Sequence, residues 1–353
     1  MLDEMLRHEG MALSDGEAFI TYAGLSRIIG KIGRRLRASG ARTVGIALDN
    51  SPLWAALDLA IMDAGLICVP LPGFFSSSQL SHVISDAGID LILTDRPAFF
   101  AQLPGVSEKF DEFEHCGRRY AEIRVGCAAG EAVPQGTVRI TYTSGTTGNP
   151  KGVCLDHSAV TAVAKSLLAA SQADERDRYV SVLPLSTLLE NVGGLHVPLL
   201  SGACCHLLPP EKAGLGGAAK FEAGKMVEAF AKYRATCAIL TPGLLQAFIG
   251  FIQRHRIALP DLRFLAVGGA PVSERLLEQS EELGLPVFEG YGLSECASVV
   301  SLNTASGRKA GSAGRPLPHV SLKFSEEGEI LVKGSVMLGY CGMAPIDRNG
   351  FLP

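Results

Sequence analysis

Short apolar runs alternate with longer amphipathic stretches along most of the chain. VGIALD predicts a strand, and SPLWAALDLAIMDAG after it predicts a helix with Ser51 as its cap and Pro52 as its first residue. LICVPL, SSSQLSHVISDAG and IDLILTD continue as strand, helix and strand, so residues 44–95 form a predicted βαβαβ unit. Short apolar strands separated by helices of this length favour a parallel sheet that is covered on both faces.

The stretch from Arg96 to Gln135 is charged and lacks this alternation, so it is predicted to be an irregular surface excursion. Beyond it the pattern returns, with VRITYT, YVSVLPL, TCAILTP, RFLAVGG and PVFEGYG as strands and HSAVTAVAKSLLAASQA, FEAGKMVEAFAKYR, GLLQAFIGFIQRH and SERLLEQSEELG as the helices between them. Near Gly311 the helices cease, and VSLKFSEEGEILVKGSV predicts two strands around a Glu-Gly turn.

These elements predict an α/β protein with two doubly wound α/β subdomains, each around a parallel sheet, and a smaller β-barrel-like region. The predicted boundaries are 1–135 for the first subdomain, which includes an N-terminal helix and the surface excursion, 136–305 for the second, and 306–353 for the β region. A length of 353 residues and a hydrophobic content of 47% suit a large packed core and exclude a disordered chain.

The charge balance and the spacing of metal-binding residues exclude several functional classes. With 32 basic and 36 acidic residues the net charge is -4, which gives no reason to expect a nucleic-acid partner. The nine cysteines form no CxxC pair and the eight histidines no HExxH, so we predict reduced thiols in a cytoplasmic protein and no histidine-ligated metal. The most apolar stretch, Trp54 to Val69, carries Asp58 and Asp63, so no transmembrane segment is predicted, although peripheral membrane contact stays open.

The segment TYTSGTTGNPKGV combines three glycines, several hydroxyls and one cation. Gly145 and Gly148 free the backbone to turn its N–H groups inward, while Lys151 adds a positive charge. Further hydroxyl donors come from Ser144, Thr146 and Thr147. Because these groups all donate, the matching ligand is an anion with many acceptor oxygens, most simply a polyphosphate. The pattern predicts that this loop joins a strand to a helix, where α/β sheets bind ligands.

Two other interpretations of the loop are weaker. A plain Ser/Thr-rich surface turn would explain the glycines but neither the absence of Asp and Glu nor the single Lys. A Walker A loop, GxxxxGK[ST], fits poorly because Pro150 stands at its second Gly and Gly152 at its Ser or Thr, which makes a P-loop phosphotransferase a distant alternative. Gly268, Gly269 and Ala270 do not form GxGxxG, so a dinucleotide site is also weakly supported.

The loop resembles the phosphate-binding signature of the acyl-adenylate-forming (AMP-binding) superfamily, which includes acyl-CoA synthetases, luciferases and peptide-synthetase adenylation domains. Other segments resemble further motifs of that family and occur in its order, namely AGLICVPL, LPLSTLLENVGG, VGGAPV, EGYGLSE, GRPLP and GEILVKGSVMLGY. The resemblance covers nearly the whole chain and is greatest to the N-terminal large domain of a fatty acyl-CoA synthetase.

The resemblance implies attack of a carboxylate on the α-phosphate of ATP, which releases pyrophosphate and leaves an acyl-adenylate. It implies that the β and γ phosphates are held by Thr143, Ser144, Gly145, Thr146, Thr147, Gly148 and Lys151, and that Glu295 and Thr147 bind Mg²⁺. Tyr291 would stack on adenine, in a pocket formed with Gly268, Gly269, Ala270, Glu289, Gly290, Gly292 and Ser294. The implied catalytic residues are Thr143, Lys151, Ser294 and Glu295, with Ser294 at a position where the family usually has Thr.

The central motif departs from the family at two positions. Many long-chain acyl-CoA synthetases have a His and an Arg where this chain has Thr187 and Asn191. The family His helps to orient the acyl carboxylate, so this chain is expected to differ in substrate handling rather than in nucleotide binding. The implied acyl-site residues are Thr187, Leu188, Asn191, Gly269 and Cys296.

The acyl substrate is expected to be apolar. No acidic residue occurs in ATCAILTPGLLQ, near the place where amino-acid-activating relatives carry the Asp that anchors the substrate ammonium. Apolar and small residues in LLENVGG and CASVVSLN favour an alkyl chain. The prediction is therefore a medium or long-chain fatty acid that is transferred to CoA. A fatty acyl-AMP ligase or an acyl-carrier-protein ligase is the nearest alternative, and a non-catalytic acyl or nucleotide binding module is the second.

The chain ends at DRNGFLP, where the family continues with TGD, a hinge and a C-terminal domain that carries the Lys used in adenylation. We therefore expect that C-terminal domain to be absent and this chain to be the large N-terminal domain, poorly active in adenylation by itself. A naturally short binding module is the alternative.

Overall fold

The computed structural model describes residues 1–126, 132–143, 150–216 and 220–352. In chain order the strands are β1 Met11–Ser14, β2 Phe19–Thr21, β3 Thr43–Ala47, β4 Ile67–Pro70, β5 Leu91–Thr94, β6 Val106–His115, β7 Arg118–Val125, β8 Thr137–Thr143, β9 Lys151–Asp156, β10 Arg178–Val180, β11 Cys204–His206, β12 Leu215–Gly216, β13 Lys220–Phe221, β14 Cys237–Leu240, β15 Phe264–Val267, β16 Val287–Leu293, β17 Ser298–Leu302, β18 Arg315–Pro316, β19 Val320–Phe324, β20 Ile330–Gly334 and β21 Gly339–Tyr340. The helices are α1 Leu2–Leu6, α2 Tyr22–Ser39, α3 Pro52–Ala64, α4 Ser77–Asp86, α5 Pro97–Phe100, α6 His157–Ser171, α7 Leu188–Glu190, α8 Val197–Ser201, α9 Ala223–Lys232, α10 Pro242–His255 and α11 Glu274–Glu282, with a π-helical turn at Asn191–His196 and a 3₁₀ turn at Ser294–Cys296. No helix within these described ranges combines the length and the apolar character needed to cross a bilayer.

The first sheet contains the predicted βαβαβ unit. Its strand order is β21-β9-β8-β4-β3-β5-β7-β6, and the four central strands, β8, β4, β3 and β5, are parallel. Helices α3 and α4 connect these strands as predicted, and α3 begins at Pro52, where the Trp54 N–H donates to Ser51 Oγ at 3.2 Å. All residues of β3, β4 and β5 are buried, as expected for parallel strands with helices on both faces.

The prediction of an irregular excursion over residues 96–135 is wrong. Strands β6 and β7 form an antiparallel hairpin, and β7 extends the first sheet by pairing with β5. The buried apolar side chains of β7 are Tyr120, Ala121, Ile123 and Val125, whereas β6 leaves most of its charged residues in solvent. Charge on an outer strand protects a sheet from edge-to-edge association, and here it also hides the alternation that marks a strand.

The second sheet has the longer parallel core. Its order is β18-β17-β16-β15-β14-β10-β11-β1-β2, and the neighbours from β16 to β1 run parallel. Strand β1 comes from the N-terminal segment, while β8 and β9 belong to the first sheet, so the two sheets exchange strands across residue 135. The division of the chain into domains at residues 135 and 305 stays a prediction.

The glycine-rich loop joins two strands, which corrects the expectation of a strand followed by a helix. Strands β8 and β9 are antiparallel neighbours, and their ends meet where Thr143 pairs with Lys151. Helix α6 begins only after β9, where the Ala159 N–H donates to Asp156 Oδ1 at 2.7 Å. Strand β9 is not predicted from the sequence, because its short apolar run lies directly before the helical pattern of α6.

The segment beyond residue 306 attaches to both large sheets. Its two predicted strands are β19 and β20, which pair with Phe324 opposite Ile330. On either side of this hairpin, β18 pairs with β17 of the second sheet and β21 pairs with β9 of the first. Strand β21 therefore brings the end of GEILVKGSVMLGY beside the strand that carries Lys151.

A buried polar cluster lies between the two sheets. Asp58 on α3 accepts hydrogen bonds from Arg139 on β8 and, at 3.1 Å, from Asn191 Nδ2 in the π-helical turn. His196 Nε2, in the same turn, lies 3.4 Å from Asp58 Oδ2. Burial alone would raise the pKa of Asp58, but Arg139, His196 and Asn191 outweigh it and hold that pKa well below its usual range. An ionised carboxylate therefore links α3, β8 and the π-helical turn.

Candidate active site

A cavity of about 270 Å³ lies along one face of the second sheet. Cys237 and Ile239 on β14 and Phe264 and Ala266 on β15 line it, because alternate side chains of a strand share a face. Other apolar residues of the lining are Leu167, Ala173, Leu188, Leu189, Val197, Pro198, Ala203, Ala238, Val267, Leu293, Val299 and Leu302, and polar atoms come from Ser171, Asp177 and Ser201 among others. The interior of this cavity is therefore suited to an apolar ligand.

One end of the cavity lies at the carboxyl ends of β15 and β16. Gly268 and Gly269 follow β15, and residues 290–294 run along the end of β16. Gly269 has a φ of +83°, which glycine adopts without strain. At Gly292 a Cβ would lie 1.9 Å from the Ser298 carbonyl oxygen, so only glycine lets β16 and β17 approach so closely. Ligands of α/β sheets bind at this end of the strands.

Six residues predicted for the nucleotide share this end of the cavity, namely Gly268, Gly269, Gly290, Tyr291, Gly292 and Ser294. Tyr291 is 36% exposed, which leaves its ring face available to a ligand. Glu289 is buried instead, and its Oε2 accepts from the Gly311 N–H at 3.1 Å. Ala270 is exposed just beyond Gly269. Glu289 and Ala270 thus lie beside the cavity rather than in its lining.

Of the loop that is predicted to bind phosphate, the structure describes only the two flanking strand ends. Five of the predicted site residues in this loop lie outside the described residues, namely Ser144, Gly145, Thr146, Thr147 and Gly148. Thr147 is one of the two predicted metal ligands. Thr143 and Lys151 stand opposite each other at the ends of β8 and β9. The Lys151 ammonium lies 5.6 Å from the centroid of the Tyr340 ring, and the Tyr340 hydroxyl donates to Glu295 Oε1 at 2.9 Å. The structure therefore brings Lys151 and Glu295 together around one tyrosine.

Tyr340 lies in the candidate site, but the sequence did not predict it there. It ends the motif GEILVKGSVMLGY, but its place beside Glu295 depends on the pairing of β21 with β9, which no local pattern predicts. Burial raises the pKa of Tyr340 to about 12, and the hydrogen bond to Glu295 contributes to the rise. Tyr340 is therefore protonated at neutral pH and is the donor in this contact.

Two predicted acyl-site residues, Thr187 and Leu188, line the cavity together with Gly269. The Thr187 hydroxyl donates to the Pro184 carbonyl oxygen at 2.7 Å, at the start of α7. Gly193, which was not predicted, lines the cavity from the π-helical turn, and a Cβ there would come within 2.7 Å of Ile239 Cδ1. A side chain at position 193 would therefore narrow the cavity between the π-helical turn and β14. Such π-helical turns are frequent at functional sites.

The other two predicted acyl-site residues, Asn191 and Cys296, lie outside the lining of this cavity, contrary to the expectation that all of them share one site. Asn191 is fully buried and faces Asp58 in the polar cluster, since residues within one helical turn point in different directions. Cys296 packs against valines of β17, β19 and β20. Of the residues in the 3₁₀ turn Ser294–Cys296, Ser294 is the one that lines the cavity.

Glu190 is a buried carboxyl beside the cavity wall. Its Oε1 accepts from Ser181 Oγ at 2.6 Å and from the hydroxyl of Tyr179, a lining residue, at 3.0 Å. Burial raises the pKa of Glu190 to about 8, against the opposing effect of these two donors. The carboxyl is thus largely protonated at neutral pH, so Glu190 adds no charge beside the cavity, and the one carboxylate among the lining residues that the structure describes, Asp177, is paired with Arg263.

A family model described as AMP-binding enzyme matches residues 7–341. Among curated relatives, the indoleacetate–CoA ligase of Aromatoleum aromaticum is 29% identical over 373 residues, which cover 95% of this chain and 70% of that protein. A long-chain-fatty-acid–CoA ligase of Mycobacterium tuberculosis is 25% identical over 341 residues, which cover 90% of this chain and 66% of that protein.

Solved structures share the fold. The O-succinylbenzoate CoA synthetase of Bacillus subtilis, in complex with ATP and a magnesium ion, matches with a TM-score of 0.79 at 24% identity and covers 99% of this chain and 75% of that one. The inhibitor-bound N-terminal domain of FACL13 from Mycobacterium tuberculosis matches with a TM-score of 0.76 at 22% identity. The match covers 97% of this chain and 91% of that one. These likenesses confirm the predicted fold class.

Proposed function

This chain belongs to the AMP-binding enzyme family, and on that premise we propose that it activates a carboxylic acid with ATP and passes the acyl group to CoA. In the first step an acyl-adenylate forms, and in the second the CoA thiol attacks the acyl carbonyl and AMP leaves. The relatives that are acid–CoA ligases support this class, which is also the AMP-forming acid–thiol ligase that the motifs predict.

The observation that best supports this proposal is a single cavity whose two ends differ in chemistry. Nucleotide-binding motif residues such as Gly268 and Tyr291 form one end, and apolar side chains from β14 and β15 line the interior. An acyl-adenylate with an apolar tail has the same division, because a polar nucleotide is joined to a hydrocarbon group. Holding both parts together would place the carboxylate against the phosphate and remove much of the entropic cost of their encounter.

In the first step a carboxylate oxygen bonds to the α-phosphorus while the bond from that phosphorus to pyrophosphate breaks. Both reactants are anions, so the Lys151 ammonium would offset their repulsion and the charge of the leaving group. Glu295 would be the protein ligand of Mg²⁺, which prefers oxygen and takes its other ligands from phosphates and water. The described residues fit this arrangement, because the oxygen donor Glu295 is held by the Tyr340 hydroxyl at 2.9 Å and the Lys151 ammonium lies 5.6 Å from the ring of the same tyrosine. A bound cation would neutralise part of the negative charge on the phosphates.

The substrate that we propose is a medium or long-chain fatty acid. From Phe264 to Gly268 the lining follows four steps along β15, a distance of roughly 13 Å at the rise of an extended strand. This length favours an extended tail. Most of the lining is apolar, and the polar side chains of Asp177, Ser171 and Ser201 already have partners within the protein. An alkyl chain suits such walls, because it has no polar group that needs a hydrogen bond.

An acid that carries an aromatic ring on a short carbon chain is the second candidate. Phe264 lines the cavity and stacks on Phe288 with the ring centroids 4.5 Å apart, which would offer a flat wall to an aromatic substrate. Relatives named for indoleacetate and for ferulate favour this class. Both acid classes would use the same nucleotide end of the cavity.

Hydroxylamine trapping separates the two classes, since it captures an acyl-adenylate whatever the acceptor. The protein in its full natural length is incubated with ATP, Mg²⁺ and hydroxylamine and with octanoate, dodecanoate, hexadecanoate, 3-phenylpropanoate or ferulate. We expect ATP-dependent hydroxamate from the straight-chain acids, at least one of them faster than both aryl acids. Faster turnover of the aryl acids would replace the fatty-acid proposal, and no hydroxamate from any acid would contradict the function itself.

Gly193→Ala is expected to narrow the cavity and to weaken the binding of longer acids. The new methyl would lie 2.7 Å from Ile239 Cδ1, so these two lining residues would crowd each other in the cavity that we propose for the acyl chain. We expect the KM for dodecanoate to rise about tenfold, the scale of one methylene in an apolar pocket, while the KM for ATP stays the same.

Gly250→Ala is the matched control for this variant. Gly250 is also helical, on α10, and a Cβ there meets no atom within 4 Å, so this change adds the same methyl without crowding. Its KM for dodecanoate should equal that of the wild type. If Gly193→Ala also leaves that KM unchanged, Gly193 does not limit the acyl cavity.

A further inference from the structure

We propose that Tyr340 is a positioning residue that holds Glu295 in the orientation needed to bind the Mg²⁺ of the nucleotide, with the Lys151 ammonium over its ring. The inference rests on the proposed function, because it concerns the same site. The hydroxyl of Tyr340 donates to Glu295 Oε1 at 2.9 Å, and the Lys151 Nζ lies 5.6 Å from the ring centroid. One side chain thus contacts both the carboxylate and the cation that the motifs assign to metal and phosphate.

The backbone around Tyr340 fixes it relative to both groups. Strand β21 lies antiparallel to β9 with Tyr340 opposite Val153, two residues from Lys151. On either side of this pair, the Leu338 N–H donates to the Cys154 carbonyl at 2.8 Å and the Cys341 N–H to the Gly152 carbonyl at 2.9 Å. The strand that carries Lys151 and the strand that carries Tyr340 are therefore in fixed register.

The same segment also holds the backbone of Glu295. The Met337 N–H donates to the Glu295 carbonyl oxygen at 2.7 Å, three residues before Tyr340. Glu295 is thus held at its main chain by Met337 and at its side chain by Tyr340. A carboxylate with two such restraints has fewer orientations to lose when a cation binds, and this lowers the entropic cost of binding.

The two contacts of Tyr340 can be separated chemically. Its hydroxyl makes a hydrogen bond to an ionised group, which is stronger than one between neutral groups. Its ring face attracts an ammonium through the negative face of the π-system. Tyr340→Phe removes only the first contact, whereas Tyr340→Leu removes both.

Equilibrium binding measured by calorimetry tests the assignment without any turnover. ATP is titrated into the wild type and into Tyr340→Phe, once with Mg²⁺ and once with EDTA. We expect the affinity of Tyr340→Phe for ATP to fall about tenfold with Mg²⁺, on the scale of a hydrogen bond to a charged group, and to stay at the wild-type value with EDTA. Tyr340→Leu should weaken binding in both conditions, since the restraint on Lys151 is lost as well.

Tyr120→Phe is the matched control. It removes the same kind of bond, from a tyrosine hydroxyl to Glu122 Oε1 at 3.4 Å, but both residues lie on β7 and the carboxylate is not one assigned to the metal. This variant should keep the wild-type ratio of the affinities with and without Mg²⁺. Equal losses in Tyr340→Phe under both conditions, or no loss at all, would overturn the positioning role. A wild-type protein that binds no ATP would instead contradict the proposed function, so the two failures are distinct.

Discussion

Asp58→Ala is expected to lower the free energy of unfolding by about 3–5 kcal/mol, the cost of removing one partner from a buried ion pair. The side chains of Asp58 and Arg139 are 0% and 5% exposed, so the guanidinium left behind has almost no access to water. Asn191 and His196 lose their acceptor at the same time. Since α3, β8 and the π-helical turn meet at this carboxylate, the loss falls on the junction of the two sheets.

Urea denaturation of the wild type and the variant measures this loss as a shift of the midpoint. Asp174→Ala is the control, because it breaks an exposed ion pair with Arg176 and should leave the midpoint nearly unchanged. Adding Arg139→Met to Asp58→Ala removes the stranded charge, and the double variant is expected to regain part of the lost stability. A midpoint of Asp58→Ala equal to that of the wild type would mean that the cluster does not hold the sheets together.

The parts of the fold that the sequence predicts are those whose pattern is local. The βαβαβ unit over residues 44–95 follows from apolar strands and from the Ser51 cap with Pro52 behind it, both of which are short-range features. The cavity end that we propose for the nucleotide is formed by residues that the sequence already grouped, because Gly268, Gly269 and residues 290–294 occur in two compact motifs. Both motifs lie at strand ends, where a parallel sheet brings them together.

The parts that the sequence does not predict depend on long-range pairing. The hairpin of β6 and β7 conceals its alternation under edge charges, and β1 joins β11 across almost two hundred residues of sequence. Tyr340 reaches Glu295 only because β21 pairs with β9. For Asn191 the local motif predicts a contact with the substrate. In the structure the π-helical turn directs its side chain to Asp58 instead, a partner far away in sequence.

Lys151→Ala and Glu295→Ala are each expected to slow acyl-adenylate formation by a factor on the order of 10²–10³, the scale of losing one preorganised electrostatic group. Lys151 would no longer offset the charge of the pyrophosphate, and without Glu295 the metal would lose the protein carboxylate proposed to bind it. The measurement is the rate of hydroxamate formation by the protein in its full natural length, at saturating acid and Mg·ATP.

Lys165→Ala is the control for charge removal, because Lys165 is an exposed lysine on α6 that pairs with Glu4 Oε1 at 2.9 Å, away from the cavity lining. It should keep the wild-type rate. The two site variants should also differ from each other, since raising the Mg²⁺ concentration can partly restore metal binding in Glu295→Ala but cannot replace the ammonium of Lys151. Wild-type rates in both variants would show that the reacting phosphates bind elsewhere, and equal rescue of both by Mg²⁺ would remove the separate role assigned to Lys151.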